Sequence, residues 1–176
     1  MTVIITDHHE VPFVESADGK KEFDIPLADA VIDPKQETCE YPFKGICGAV
    51  VALKFIQAFS LKKEGNYRWT EQSELTEFAA FATVGDVMEL IDENRILVKC
   101  GLKQIEHTKN LGMQALLEVT GILNQKLTPY HIGFVLGPCL NATGRLDTAE
   151  KALELLDSES YEQAVLLASD LKALND

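Results

Sequence analysis

Val3-Ile4-Ile5 is a continuous apolar run of the kind that forms a strand buried on both faces, as in parallel sheets. One other short segment, Ala30-Val31-Ile32, reads the same way and is ended by Asp33-Pro34. Two parallel strands do not make a stable sheet alone, because both faces and both edges need cover. Nearly everything after residue 45 reads as helix. The fold expected is therefore α/β, with a truncated parallel sheet of few strands and a mostly helical C-terminal part. A Thr2–Thr6 strand with no neighbour on one side should be partly exposed, and self-association through that edge is the expected consequence.

The intervening segment Val11–Leu27 holds two prolines, a run of charge and Asp18-Gly19, which favours a small hairpin. Beyond Gly45, Ile46, Ala49, Val50, Leu53, Ile56 and Phe59 recur at helical spacing in a segment apolar nearly all round, which predicts a helix packed on several sides. Thr70 can cap a helix through Phe81, and Asp92 one that reaches about His107. Asn110 can cap a helix that ends at Gly121. Thr128-Pro129 is an N-cap followed by proline at the first helical position. A loop over Gly137–Arg145 is expected next. Asp147 with Glu150, and Ser160 with Gln163, form capping-box patterns. The last helix is expected to bury Tyr161, Ala164, Val165, Ala168 and Leu171.

A chain of 176 residues with 46% hydrophobic and 25% charged residues can build one domain with a sizeable core. The net charge of −12 argues against broad, nonspecific nucleic-acid binding, which needs a basic surface. It does not argue against a nucleic-acid enzyme, whose bound cations offset acidic sites. Cys39, Cys47, Cys100 and Cys139 are scattered without a CxxC pair and read as free thiols. No secretory leader or membrane span is apparent, and the expected setting is cytoplasmic.

Three segments carry chemistry. Asp7-His8-His9 follows the first strand, where α/β sheets bind ligands, and offers a carboxylate and two imidazoles for a divalent metal and a phosphate. Asp86 follows the apolar stretch Phe78–Val84 and Gly85, and becomes a candidate ligand from a second segment if it meets the first. Gly137–Arg145 is rich in small residues and offers the Asn141 amide and the Arg145 guanidinium to a phosphate. Arg95, Lys99 and Lys103 form a basic stripe at i, i+4 and i+8. A solvated face is the plain reading of that stripe, and contact with a nucleic-acid backbone the sharper one. Tyr67 and Trp69 can stack a base or pack in a core. His107 and His131 carry no partner signal.

The segments Val3–Glu10, Ala28–Lys35, Tyr41–Lys44 with Cys47-Gly48-Ala49, Ala82–Leu90 (ATVGDVMEL) and Gly137–Leu146 (GPCLNATGRL), in this order, resemble the RecJ family of the DHH phosphoesterase superfamily. The resemblance runs through nearly the whole chain. It implies a dinuclear manganese or magnesium site that hydrolyses phosphodiester bonds, in a 5′-to-3′ exonuclease acting on single-stranded DNA. By motif position it makes His8 and Asp86 metal ligands, puts Asp7 in or beside the metal shell, and turns His9 to the scissile phosphate. It sets Asn141 and Arg145 near the nucleic-acid path. Mixed carboxylate and imidazole ligation suits manganese better than calcium.

The family also carries an upstream Asp-x-Asp strand motif, a further aspartate, and a downstream domain with a glycine-rich motif, none of which this sequence contains. Residues 1–157 are thus expected to match the second half of the family's catalytic domain, and 158–176 the start of a connector helix. The isolated chain is expected to bind manganese weakly and to have little nuclease activity. Relatives in the superfamily that cut short oligonucleotides or cyclic dinucleotides, and RecJ-like scaffolds that do not cut, are the alternatives.

Overall fold

A computed structural model describes residues 1–64, 73–141 and 146–175. Thr70, Tyr67, Trp69 and Arg145 lie outside the described residues, as does the side chain of Asp147. Strand β1 (Ile4–Thr6) is followed by β2 (Phe13–Glu15), β3 (Lys21–Phe23) and β4 (Ala30–Ile32). β1 and β4 pair in parallel, with Ile5 opposite Val31. β2 and β3 form the antiparallel hairpin expected around Asp18-Gly19, and Gly19 turns it at φ +79°. Among the described residues β4 is the only strand beside β1, so Val3 and Ile4 remain exposed.

The helices are α1 (Gly48–Glu64), α2 (Ser73–Gly85), α3 (Asp92–Ile105), α4 (Leu111–Val119), α5 (Pro129–His131), α6 (Gly137–Leu140), α7 (Leu146–Leu156) and α8 (Tyr161–Asn175). A π-helical stretch, Ile132–Leu136, joins α5 to α6. Asn110 caps α4 as its sequence predicts, its Oδ1 accepting from Met113 N at 2.9 Å, and Gly121 ends that segment at φ +75°. The Asn110 amide also donates to Leu156 O at 2.7 Å, tying α4 to the end of α7.

Four local expectations are corrected. Ile91, not Asp92, is the N-cap of α3, and Asp92 is its first residue at φ +41°. Gly137–Leu140 is a helical turn rather than loop, because the π-helical stretch before it carries the helical path onward. Among the described residues α1 is packed on one side: Val50, Val51 and Leu53 are buried, whereas Phe55, Phe59 and Leu61 face outward. Tyr161 is exposed, with its hydroxyl donating to the Glu118 carboxylate, while Ala164, Ala168 and Leu171 fill the buried face of α8.

Two apolar clusters meet on α2. The larger gathers Ile105, Met113, Leu116, Ile132, Leu136, Leu155 and Leu171, together with Ala80. The smaller gathers Ile46, Cys47, Val50, Val51, Leu53 and Leu97, together with Ala79. Adjacent alanines on α2 thus face different clusters, and their small size lets α1 and α3 both come close. The approach of α3 is the tighter. A Cβ on Gly101 would stand 2.1 Å from Ala80 Cβ and 2.9 Å from Thr76 O. In an open helix interior Gly→Ala gains about 1 kcal/mol. Here overpacking outweighs that gain, so Gly101→Ala is expected to lose roughly 1–3 kcal/mol in urea unfolding, with an unchanged denaturant slope. A more stable variant would show that α2 and α3 are farther apart than described.

Candidate functional site

The parallel pair fixes where the first motif begins. Asp7 N donates to Ile32 O at 3.0 Å, which extends the ladder by one residue and places Asp7 at the carboxyl end of β1. Its Oδ1 then accepts from His8 N at 2.7 Å and from His9 N at 3.3 Å, folding the triplet into a tight turn. The His9 ring closes the turn, with Nδ1 2.6 Å from the same oxygen. The two imidazoles stay in contact, with ring centroids 4.4 Å apart and 44° between planes, but His9 is mostly in solvent while His8 turns inward.

Inward, His8 meets α1 and α2. Its ring lies against Gly48, where an added Cβ would stand 3.3 Å from His8 Cδ2. Its Nε2 stands 3.5 Å from Asp86 Oδ2. The sequence places these two residues in separate motifs, and the fold brings them together. Asp86 sits at the C-cap of α2 in a Schellman arrangement: Met88 N donates to Thr83 O and Val87 N to Val84 O, each at 3.1 Å. The left-handed position of that motif belongs to Val87, at φ +56°, although glycine is the residue suited to it. Backbone strain is therefore held one residue beyond the candidate ligand.

Two further ties hold Asp86 near the start of α1. The Asn94 amide donates to Gly45 O at 2.7 Å and to Glu89 O at 3.0 Å, bridging the loop before α1 to the loop after Asp86. The buried Cys47 Sγ and Thr83 Oγ1 lie 3.5 Å apart, and that hydroxyl donates to Ala79 O.

Beyond Asp86 opens a groove of about 600 Å3, walled by Ala82, Gly85, Gly133, Gly137, Pro138 and Asn141. Asn141 therefore shares a groove with Asp86. Gly137 permits the wide turn of the π-helical stretch, since a Cβ there would sit 2.7 Å from Ile132 O. Ala82, Gly85, Gly133 and Gly137 leave room in the groove beside the larger Phe81, Leu140 and Asn175.

Asp33 is a residue that sequence reasoning passed over. It is buried at the end of β4, and its Oδ1 accepts from Lys35 N at 2.8 Å. The available signal was its place directly after the second parallel strand, as Asp7 follows the first. His131 has a structural role: its Nδ1 accepts from Thr128 N at 3.0 Å at the start of α5.

The hydrogen bond from His9, with those from the backbone, holds the Asp7 carboxyl down at about 2. The same bond raises His9 above the usual 6.5, helped by the charge of Asp7 and, more weakly, of Asp86 and Asp33. The signs fix a window. The Asp7 contribution is lost as pH falls towards 2, and the His9 contribution is lost as pH rises through its raised value. The turn thus favours the protonated form of the His9 imidazole. In an NMR titration His9 should titrate above 6.5, and Asp7→Asn should return it to the ordinary value. Val87→Gly should gain about 0.5–1 kcal/mol, since relief of left-handed strain exceeds the added chain entropy of glycine. A thermal melt showing Val87→Gly less stable would contradict the strain at that position.

No family model matches the chain. Curated relatives do. The single-stranded-DNA-specific exonuclease RecJ of Bacillus subtilis is 36% identical over 175 residues, covering 99% of this chain and 20% of the relative. That of Escherichia coli is 38% identical over 181 residues, covering 98% of this chain and 30% of the relative. A crystal structure of exonuclease RecJ bound to manganese superposes with a TM-score of 0.79 at 30% identity, covering 99% of this chain and 40% of that one. The chain thus spans between a fifth and a third of the length of these curated relatives. Along nearly all of residues 1–176, sequence and fold agree with one part of these RecJ exonucleases.

Proposed function

We propose that this chain forms part of a RecJ-type, metal-dependent 5′-to-3′ exonuclease acting on single-stranded DNA, with His8 and Asp86 holding a divalent cation. The observation that carries this reading is the 3.5 Å approach of His8 Nε2 to Asp86 Oδ2 from two distant motifs. A carboxylate suits manganese or magnesium, and the imidazole beside it favours manganese of the two. Among the described residues no cluster of three such donors forms, so this chain offers a pair rather than a closed set. The RecJ structure with a similar fold is itself bound to manganese. Bound divalent ions in such a site activate water and stabilise the attacking and leaving oxygens of a phosphodiester.

The residues of the chain have separable tasks. His8 and Asp86 provide the donors, and Gly48 leaves room for the His8 ring. Asp7 orients His9 and favours its protonated form, in which the ring offers a charged N–H to a phosphate oxygen. Asn141 offers its amide to the strand along the groove. The four free thiols support a cytoplasmic setting. A scaffold that does not cut has no use for the convergent pair.

The test uses the purified 176-residue chain. Mn2+ should broaden the His8 imidazole signals in an NMR titration, and Asp86→Ala should weaken that effect at least about tenfold, the loss of the one anionic ligand of the pair. Degradation of single-stranded DNA by the chain alone should be slight. A His8 signal untouched by Mn2+, or strong degradation that survives Asp86→Ala, would overturn the proposal.

A further inference from the structure

The basic stripe predicted on α3 has a partner on the opposite bank. Arg95, Lys99 and Lys103 are exposed along successive turns, and with Lys126 they surround a groove of about 460 Å3. Val98, Leu102 and Leu127 make its floor. Among the described residues none of these four cations is engaged in an ion pair. Glu106, the acid on the wall, is turned to the backbone, accepting from Leu127 N at 2.7 Å. In a chain of net charge −12, four unpaired cations gathered around one groove make a local field opposite in sign to the whole.

The groove ends at Pro129, and the same helical stretch continues to the groove beside Asp86 through Gly133 and Gly137. Along the chain, Tyr130 directly follows Pro129 and Phe134 directly follows Gly133, and the two are 62% and 72% exposed. Their rings stack with centroids 5.0 Å apart and 24° between planes. Two large rings held together in solvent offer an open π-face with little orientational freedom left to lose. Cations along a rim and an exposed aromatic stack are the two elements that bind single strands without reading sequence.

We propose that the α3 groove and the Tyr130–Phe134 stack form a second binding surface for single-stranded nucleic acid. Phosphates lie along Arg95, Lys99, Lys103 and Lys126, and a base caps the aromatic pair. This rests on the reading above, which supplies a single strand at the neighbouring groove. The surface binds without metal, and so it can be tested separately from His8 and Asp86.

The experiment is fluorescence anisotropy of a labelled oligothymidylate of about 12 nucleotides, titrated with the full chain in EDTA at several salt concentrations. Lys99→Glu with Lys103→Glu should weaken binding roughly tenfold or more and lower the log–log salt slope by about 1.4, the share of two phosphate contacts. Tyr130→Ala with Phe134→Ala should weaken binding about fivefold or more while leaving the slope unchanged. Lys62→Glu with Lys63→Glu, on α1, is the charge-matched control and should lower the slope far less. All four substituted positions of the test pairs are exposed, and circular dichroism melts would verify the fold. Absence of binding by the unsubstituted chain, or either test pair within about twofold of it, overturns the proposal. Tighter binding of a glutamate- and leucine-rich peptide, lost in the same variants, also overturns it and assigns the groove to an acidic protein. If binding behaves as expected while Mn2+ leaves His8 untouched, the metal reading fails and this one stands.

Discussion

The Asn94 side-chain amide holds two loops at one point. Asn94 is fully buried on α3 and donates to Gly45 O, just before α1, and to Glu89 O, just after Asp86. Gly48 beneath His8 follows from the first loop, and the position of Asp86 from the second. Without the amide, two inward-facing carbonyls lose a donor, a penalty of about 1–3 kcal/mol each. The His8–Asp86 approach thus depends on a residue that touches neither of them. The Cys47–Thr83 contact adds a weaker tie between the same two elements.

Around that point the structure is built from small residues where elements must approach and from strain where a side chain must be aimed. Ala79 and Ala80 let α2 pack in two directions, and Gly101 admits the α2–α3 contact. Val87 carries a left-handed backbone directly after Asp86, and the π-helical stretch Ile132–Leu136 carries the opposite wall of the groove. Both irregularities border the same groove. Departures of this kind persist only where the surrounding packing over-determines them, as the buried Thr83, Ile132 and Leu136 do here.

Much of the local structure was legible because local chemistry decides it. The Asn110 cap, the Gly121 stop, Thr128-Pro129 and the Asp18-Gly19 hairpin each rest on one residue satisfying its own backbone neighbours, and all are present. Misreadings arose where packing decides instead. The apolar circumference of α1 suggested cover on several sides, yet Phe55 and Phe59 face outward among the described residues. Asp92 looked like a cap, but the turn after Asp86 delivers the chain so that Ile91 takes that place. Gly137–Arg145 suggested a loop, but Gly137–Leu140 is helical, and Gly137 fits there because a Cβ would collide with Ile132 O.

By itself the sequence determined the donor chemistry: a carboxylate and two imidazoles after a parallel strand, a second carboxylate after an apolar stretch, and a family resemblance that the comparisons support. Tertiary structure alone decided which imidazole faces inward, since that choice follows from the Asp7 turn and the space above Gly48. It also decided that Asp86 and Asn141 share a groove, and that the α3 stripe has Lys126 opposite it and Tyr130–Phe134 beyond it. Residue types and spacings fix what a side chain can bind. Proximity between distant segments arises only when buried surfaces and shared hydrogen bonds fold the chain back on itself.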